Sequence, residues 1–180
     1  MRCAYCDTAY AFSGGQNMDL AAILEKVKTY KTKYVTVTGG EPLAQKECHD
    51  LLSALCDAGY SVSLETGGGM EIANVDKRVS IIFDIKTPDS NETKNMNWAN
   101  LAHLQGKDEI KFVLCGRSDY DWVKEKITEL GLLNKCPIVL SPSYGQLNPA
   151  DLAAWVLADQ LPVRVQIQLH KVLWGEKAGV

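Results

Sequence analysis

Tyr34-Val35-Thr36-Val37-Thr38-Gly39-Gly40-Glu41-Pro42 is the stretch that decides the fold. Its first five residues, rich in β-branched and aromatic side chains, read as a strand that stops at a glycine pair, a carboxylate and a proline. Two glycines at a strand end let a ligand or another backbone come close, and the Glu41 carboxylate can accept hydrogen bonds from an ammonium group. A tight turn with Pro42 opening a helix accounts for the same residues, so this stretch alone leaves both readings open.

The same beat recurs on either side. Asn17-Met18-Asp19 offers a cap for a helical pattern over Leu20 to Val27. Residues 46–58 read as a helix ending at Gly59, Ser61 to Glu65 as a strand, and Thr66-Gly67-Gly68-Gly69 as its closing turn. Val79 to Asp84 and Glu109 to Leu114 are further strands, separated by an irregular stretch, 87–108, with one helix expected around Trp98 to Leu104. Tyr120 to Leu130 predicts a helix and Ile138 to Leu140 a buried strand. Asn148-Pro149-Ala150-Asp151 caps a helix to about Asp159, and Val163 to Leu169 alternates like an edge strand. Strands separated mostly by helices imply an α/β fold with a parallel sheet, doubly wound or curled into a barrel. No glycine-rich linker divides the chain, so residues 1–180 are expected to form a single domain.

Polar residues gather just after the strand ends, the edge at which parallel α/β proteins bind ligands. They are Gly39-Gly40-Glu41, Glu65-Thr66-Gly67, Asp84-Ile85-Lys86, Ser141-Pro142-Ser143-Tyr144 and His170-Lys171. Glu65 either faces that edge or bonds to the following glycines; His170 and Lys171 either meet an anionic substrate or end a solvated strand. His49 and His103 fall in helical patterns as ordinary surface or core residues, and Asp19, Asp119 and Asp151 look like helix starts.

At 180 residues, 46% hydrophobic and 23% charged, the chain is long enough to bury a full core. No apolar run approaches the roughly 18 to 20 residues that cross a bilayer, so neither a membrane span nor a signal peptide is expected. A soluble cytoplasmic protein follows as the expectation. A net charge of -3 with dispersed basic residues argues against nucleic-acid binding. Of six cysteines, Cys48, Cys56, Cys115 and Cys136 read as small buried hydrophobes. Cys3 and Cys6 differ. Two residues apart, they can turn both sulfurs to one metal. A structural zinc site would want a second such pair, and a thioredoxin-like redox pair would want a strand before it and a helix after it.

Cys3-Ala4-Tyr5-Cys6-Asp7-Thr8, Thr38-Gly39-Gly40-Glu41-Pro42, Glu65-Thr66-Gly67 and Gln168-Leu169-His170-Lys171 together resemble the 7-carboxy-7-deazaguanine synthases. These are radical S-adenosylmethionine enzymes, and the similarity runs from Cys3 to the C-terminus. The resemblance implies a partial (βα)6 barrel with its first strand missing. It also implies that Cys3 and Cys6 are two ligands of a 4Fe-4S cluster whose open iron position takes S-adenosylmethionine. Gly39, Gly40 and Glu41 then match the turn that holds the methionine amino group. Tyr5, Cys6 and Asp7 match the segment near the adenosyl group, with Asp84-Ile85-Lys86 and Ser141-Pro142-Ser143-Tyr144 as further cofactor loops.

By the same resemblance Thr8 coordinates Mg2+ and Thr38 touches substrate; His170 and Lys171 are the candidates for its anionic part, with a solvated strand end as the other reading. An electron into the sulfonium generates a 5'-deoxyadenosyl radical, which abstracts hydrogen from 6-carboxy-5,6,7,8-tetrahydropterin. Ring contraction with loss of ammonia then gives 7-carboxy-7-deazaguanine, on the route to queuosine. The implied partners are the pterin, a flavodoxin- or ferredoxin-type electron donor and a second copy in a homodimer. The family's cluster motif has three cysteines, the first expected four residues before Cys3. The chain as given is therefore expected to be truncated, its start placed too late, with an exposed sheet edge and an underligated cluster. A cluster-deficient barrel serving as a binding or scaffold protein, and a radical-enzyme activase, are the alternatives.

Overall fold

A computed structural model describes every residue except Asp7, Ser13, Glu176, Gly179 and Val180. Six strands form one sheet in the order of the chain: β1 (Tyr34–Val37), β2 (Ser61–Thr66), β3 (Ser80–Ile85), β4 (Glu109–Leu114), β5 (Ile138–Pro142) and β6 (Arg164–Val165). Every neighbouring pair is parallel. Sequential parallel pairing with crossovers of one hand curls the sheet into a barrel left open between β1 and β6.

Alternation along each strand separates two faces. Val62 and Leu64, Ile81, Phe83 and Ile85, and Ile110, Phe112 and Leu114 are buried. They belong to one core with Leu52 and Leu55 of α2 (Cys48–Asp57), Tyr120, Val123 and Ile127 of α3 (Arg117–Glu129), and Leu152 and Val156 of α4 (Pro149–Ala158). The opposite face carries Glu65, Asp84, Lys111 and Ser141 and looks into the barrel. The helices thus supply the apolar cover, and the interior is left for polar groups.

Local chemistry sets the helix ends. Asp19 caps α1 (Leu20–Lys28) by accepting from Ala22 N at 2.7 Å, and Asn148 caps α4 by accepting from Ala150 N at 2.9 Å, with Pro149 behind it. Among its residues α1 buries none, and β1 beside it is an edge strand whose Tyr34 is 77% exposed. The expected exposed edge is present.

Three expectations need correction. In the stretch 87–108 the helix expected around Trp98 is present as a 3-10 helix, Trp98–Ala102, but two more, Pro88–Ser90 and Thr93–Asn95, precede it; Pro88 and the left-handed Asn91 (φ 61°) break the chain into single turns. Arg117 rather than Tyr120 begins α3, because extended Gly116 ends the preceding segment. The last strand is only Arg164–Val165. Pairing with β5 stops after Gln166 N donates to Leu140 O at 2.9 Å, and the chain then turns into α5 (Leu169–Trp174). His170 and Lys171 therefore lie in the first turn of a helix, not at a strand end.

Candidate active site

The strands surround a cavity of about 610 Å3, within the range of small-molecule sites. Strand alternation dictates its wall. β2 sends in Glu65, β3 sends in Ile82 and Asp84 with Lys86 just beyond, β4 sends in Glu109, Lys111 and Val113, and β5 sends in Val139 and Ser141. Gln166 and Gln168 close one side, and Thr38, Gly39 and Gly40 from the end of β1 close the other.

The cysteine segment forms the remaining rim. Cys6 N donates to Cys3 O at 3.1 Å, a tight turn that brings both thiols to the same cavity. Two backbone donations pin it: Ala4 N to Ser90 O at 3.1 Å and Arg2 N to Glu92 Oε1 at 2.8 Å. The 3-10 turns after β3 thus exist, in part, to hold the cysteines. Cys6 Sγ and Thr8 Oγ1 lie 3.5 Å apart, and the Tyr5 hydroxyl reaches the Val113 carbonyl at 3.4 Å. Burial pushes the Tyr5 phenol well above its ordinary pKa, with Asp84 adding to the effect.

Lys86 and Asp84 make a sheltered ion pair at 2.7 Å beside Cys3. Burial raises the Cys3 thiol, and the Lys86 charge opposes that rise. Burial likewise works to lower Lys86, but Asp84 and the two thiols outweigh it, so the ammonium is held charged. The second Asp84 oxygen, Oδ1, is buried with no hydrogen-bond partner among the described residues.

The Glu41 carboxylate is engaged by protein groups. Its carboxylate accepts from Thr66 Oγ1 at 2.9 Å to both oxygens, from Gly67 N at 2.9 Å and from Leu43 N at 3.2 Å. It ties the turn after β1 to the turn after β2, while the Gly39 and Gly40 backbone, not the Glu41 side chain, borders the cavity. Gly39, at φ 156°, holds a conformation closed to ordinary side chains. Gly68 is required for a second reason: at φ 77°, an added Cβ would lie 2.8 Å from the Phe83 ring. Asn100 fixes the same loop by donating to Gly68 O at 3.2 Å and Met70 O at 2.7 Å.

Of the residues singled out from sequence, the structure gathers Cys3, Tyr5, Cys6, Thr8, Thr38, Gly39, Gly40, Asp84, Lys86, Ser141, His170 and Lys171 on the one cavity, and Glu65 faces it too. Asp7 lies outside the described residues. Ile85 does not line the cavity, because alternation turns it into the helix-side core, where it is fully buried. Pro142 closes β5 inside the protein. Ser143, also buried, donates its N–H to Leu114 O at 2.8 Å and shapes the turn toward α4. Tyr144 is an exposed bracket: its N–H donates to Gln168 Oε1 at 3.1 Å and its ring centroid lies 5.8 Å from Lys171 Nζ.

Sequence reading missed Glu109, Lys111 and Gln166 as cavity residues, and took Gln168 only as part of the motif that ends at Lys171. The signal was available, since charged or amide residues at every second position of a parallel strand mark a wet inner face. It also missed the weight carried by Asp119, which is fully buried and accepts from Thr87 Oγ1 at 3.0 Å, Asp89 N at 3.1 Å and Cys115 N at 2.9 Å. With Asp89 and Cys115 it forms a cluster outside the cavity wall, its carboxylate already committed to those donors. Cys115 and Cys136 are pushed up to about 11, burial being the main cause for each. No helix of the described residues is long and apolar enough to cross a membrane.

Comparison with known proteins agrees with this geometry. The radical SAM superfamily model matches residues 1–132. The chain is 44% identical over 179 residues to the 7-carboxy-7-deazaguanine synthase of Chlorobaculum tepidum, covering 98% of this chain and 81% of that one. It is 39% identical over 196 residues to the enzyme of that name from Koribacter versatilis, covering 100% and 87%. Among solved structures, Streptococcus suis SuiB superposes with a TM-score of 0.66 at 13% identity over 93% of this chain, a likeness of fold. The same protein bound to S-adenosylmethionine gives 0.64, and the chain spans less than half of SuiB, 44% in that comparison. A six-stranded parallel barrel with a cysteine turn and a glycine turn on one cavity, and relatives this similar over nearly the whole chain, make it a member of the radical SAM superfamily and, within it, of the 7-carboxy-7-deazaguanine synthase family.

Proposed function

We propose that this cavity converts 6-carboxy-5,6,7,8-tetrahydropterin to 7-carboxy-7-deazaguanine, a ring contraction that expels ammonia and makes the protein a carbon–nitrogen lyase of queuosine and 7-deazapurine synthesis. The observation that carries the reading is the convergence of Cys3, Cys6, Gly39, Gly40 and the Asp84–Lys86 pair on one polar cavity of about 610 Å3.

Radical SAM membership implies S-adenosylmethionine and a 4Fe-4S cluster, and the residues present supply two of the cluster's thiol ligands and a polar cavity for the cofactor. Two thiols share the cavity, a cation sits beside them, and a buried carboxylate oxygen there has no partner among the described residues. When bound, the cluster supplies the electron that opens the sulfonium carbon–sulfur bond. Cys3 and Cys6 would hold iron through their sulfurs, and because burial keeps the Cys3 thiol protonated, ligation there releases a proton. Lys86 offsets the thiolate charge. Gly39 and Gly40 admit the methionine end of the cofactor close to backbone, and Glu41 keeps their turn fixed through Thr66 and Gly67. Asp84 Oδ1 is a ready acceptor for an N–H or O–H of the bound molecules.

On the substrate side, Thr38, His170 and Lys171 contact the pterin, and the Thr8 hydroxyl contributes to an Mg2+ that engages the substrate carboxylate, a hard cation among oxygen ligands. The protein is read as a cytoplasmic homodimer reduced by a flavodoxin- or ferredoxin-type donor. The test uses the polypeptide as its own cells make it, loaded anaerobically with iron and sulfide. Cys3→Ala and Cys6→Ala should each lose bound iron and the electron-paramagnetic signal of the reduced cluster. Retention of both signals in either variant contradicts the placement.

A further inference from the structure

The cavity wall contains a cation that none of these assignments uses. β4 lies inside the sheet, with β3 on one side and β5 on the other, a position where parallel strands are normally apolar on both faces. Its cavity positions are instead Glu109, Lys111 and Val113. An ammonium drawn away from water is costly unless something offsets it. Two wall carboxylates are already offset, Asp84 by Lys86 at 2.7 Å and Glu109 by Arg164. Lys111 has no hydrogen-bond or ion-pair partner among the described residues, although Asp84 is its register neighbour on β3. Glu65, two strands away on β2, is a wall carboxylate of opposite sign with no ion-pair partner among the described residues.

The position of Lys111 separates it from the cofactor end. Lys86 stands two residues beyond Asp84 toward the strand ends, about 6.6 Å further along, and it is the cation beside Cys3. Lys111 belongs to the row of Asp84 and Val139, one step deeper into the barrel. A carboxylate held at the iron end therefore meets Lys86, and Lys111 is left to face a second anion from below.

We propose that Lys111 is a specificity residue, its ammonium receiving the carboxylate of the pterin and so selecting the carboxylated ring over one without that group. This rests on the pterin reading given above. A carboxylate has two oxygens, so Lys111 and the Mg2+ assigned to Thr8 are compatible partners for it. The contact is charge-assisted, and losing it should weaken binding about tenfold or more.

Pterins fluoresce, which permits a direct binding measurement with the air-stable probes 6-carboxypterin and unsubstituted pterin, alongside S-adenosylhomocysteine as a cofactor probe. In Lys111→Gln the affinity for 6-carboxypterin should fall about tenfold, while that for pterin and S-adenosylhomocysteine changes less than about twofold. Lys111→Arg, which keeps the charge, should retain the preference for the carboxylated ring. Equal losses for both pterins, or a loss confined to S-adenosylhomocysteine, overturn the assignment of Lys111 and leave the pterin reading standing. Failure of the unsubstituted wild-type protein to bind either pterin overturns that reading, and the assignment with it. Circular dichroism matching wild type keeps a folding defect from being read as a binding loss.

Discussion

Replacing Thr66 by Val removes one hydroxyl and leaves shape nearly unchanged, so it isolates the tie between the two glycine turns. Thr66 is 2% exposed; its Oγ1 donates to both Glu41 oxygens at 2.9 Å and accepts from Gly68 N at 3.2 Å. A hydrogen bond to a charged group contributes about 1.5–3 kcal/mol, and a buried donor left without its acceptor costs about 1–3 kcal/mol. Because the two share an atom they do not add in full, and about 2–4 kcal/mol is the expected loss. That is a large part of the 5–15 kcal/mol by which such domains are usually stable, so Thr66→Val should remain folded with a clearly lower denaturation midpoint. Thr66→Ser keeps the hydroxyl and should lose only about 1 kcal/mol, the share of a buried methyl. Urea denaturation of the three proteins reads this directly. The physical reasoning fails if Thr66→Val lies within about 0.5 kcal/mol of wild type, a change typical of inert surface sites. The same variant should weaken S-adenosylhomocysteine binding through the loosened Gly39-Gly40 turn.

Gly68→Ala combines a left-handed backbone with a Cβ only 2.8 Å from the Phe83 ring, and about 2–4 kcal/mol of destabilisation should appear as a lower thermal midpoint; an unchanged midpoint contradicts the close approach. Asp119→Asn puts an amide where three donors converge, and unfolding measurements should show a loss of about 2–4 kcal/mol, whereas a neutral result means Asp119 does not hold Thr87, Asp89 and Cys115 together. Cys115, with a pKa raised to about 11, is a thiol rather than a thiolate at neutral pH. Alkylation followed by mass spectrometry should therefore label it slowly at pH 7 and accelerate toward pH 10 as the thiolate forms; rapid labelling at pH 7 contradicts the burial.

The architecture was legible where one local rule governs one element. Asp19 and Asn148 cap the helices their sequence marks, and the apolar runs of β3, β4 and β5 became the helix-facing core. Legibility ended where two rules compete. Residues 163–169 alternate like a strand, but Leu169, Val172 and Leu173 also fit one face of a helix, and β5 offers pairing only as far as Leu140. In the site, reading Asp84-Ile85-Lys86 as one loop overlooked that a strand turns every second residue away, which removed Ile85 from the cavity and would have added Lys111. The partners of the Glu41 carboxylate were hidden for a different reason. Its partners Thr66 and Gly67 lie 25 and 26 residues along the chain, and only the parallel pairing of β1 with β2 brings them to its carboxylate.

The central claim is the ring contraction, and product formation tests it most directly. The polypeptide as made by its own cells, reconstituted anaerobically and supplied with S-adenosylmethionine, a reductant, Mg2+ and 6-carboxy-5,6,7,8-tetrahydropterin, should yield 7-carboxy-7-deazaguanine and one ammonia per product by mass spectrometry and ammonia assay. A protein that carries a reducible cluster and binds S-adenosylmethionine, yet releases neither product nor ammonia from this pterin, contradicts the account.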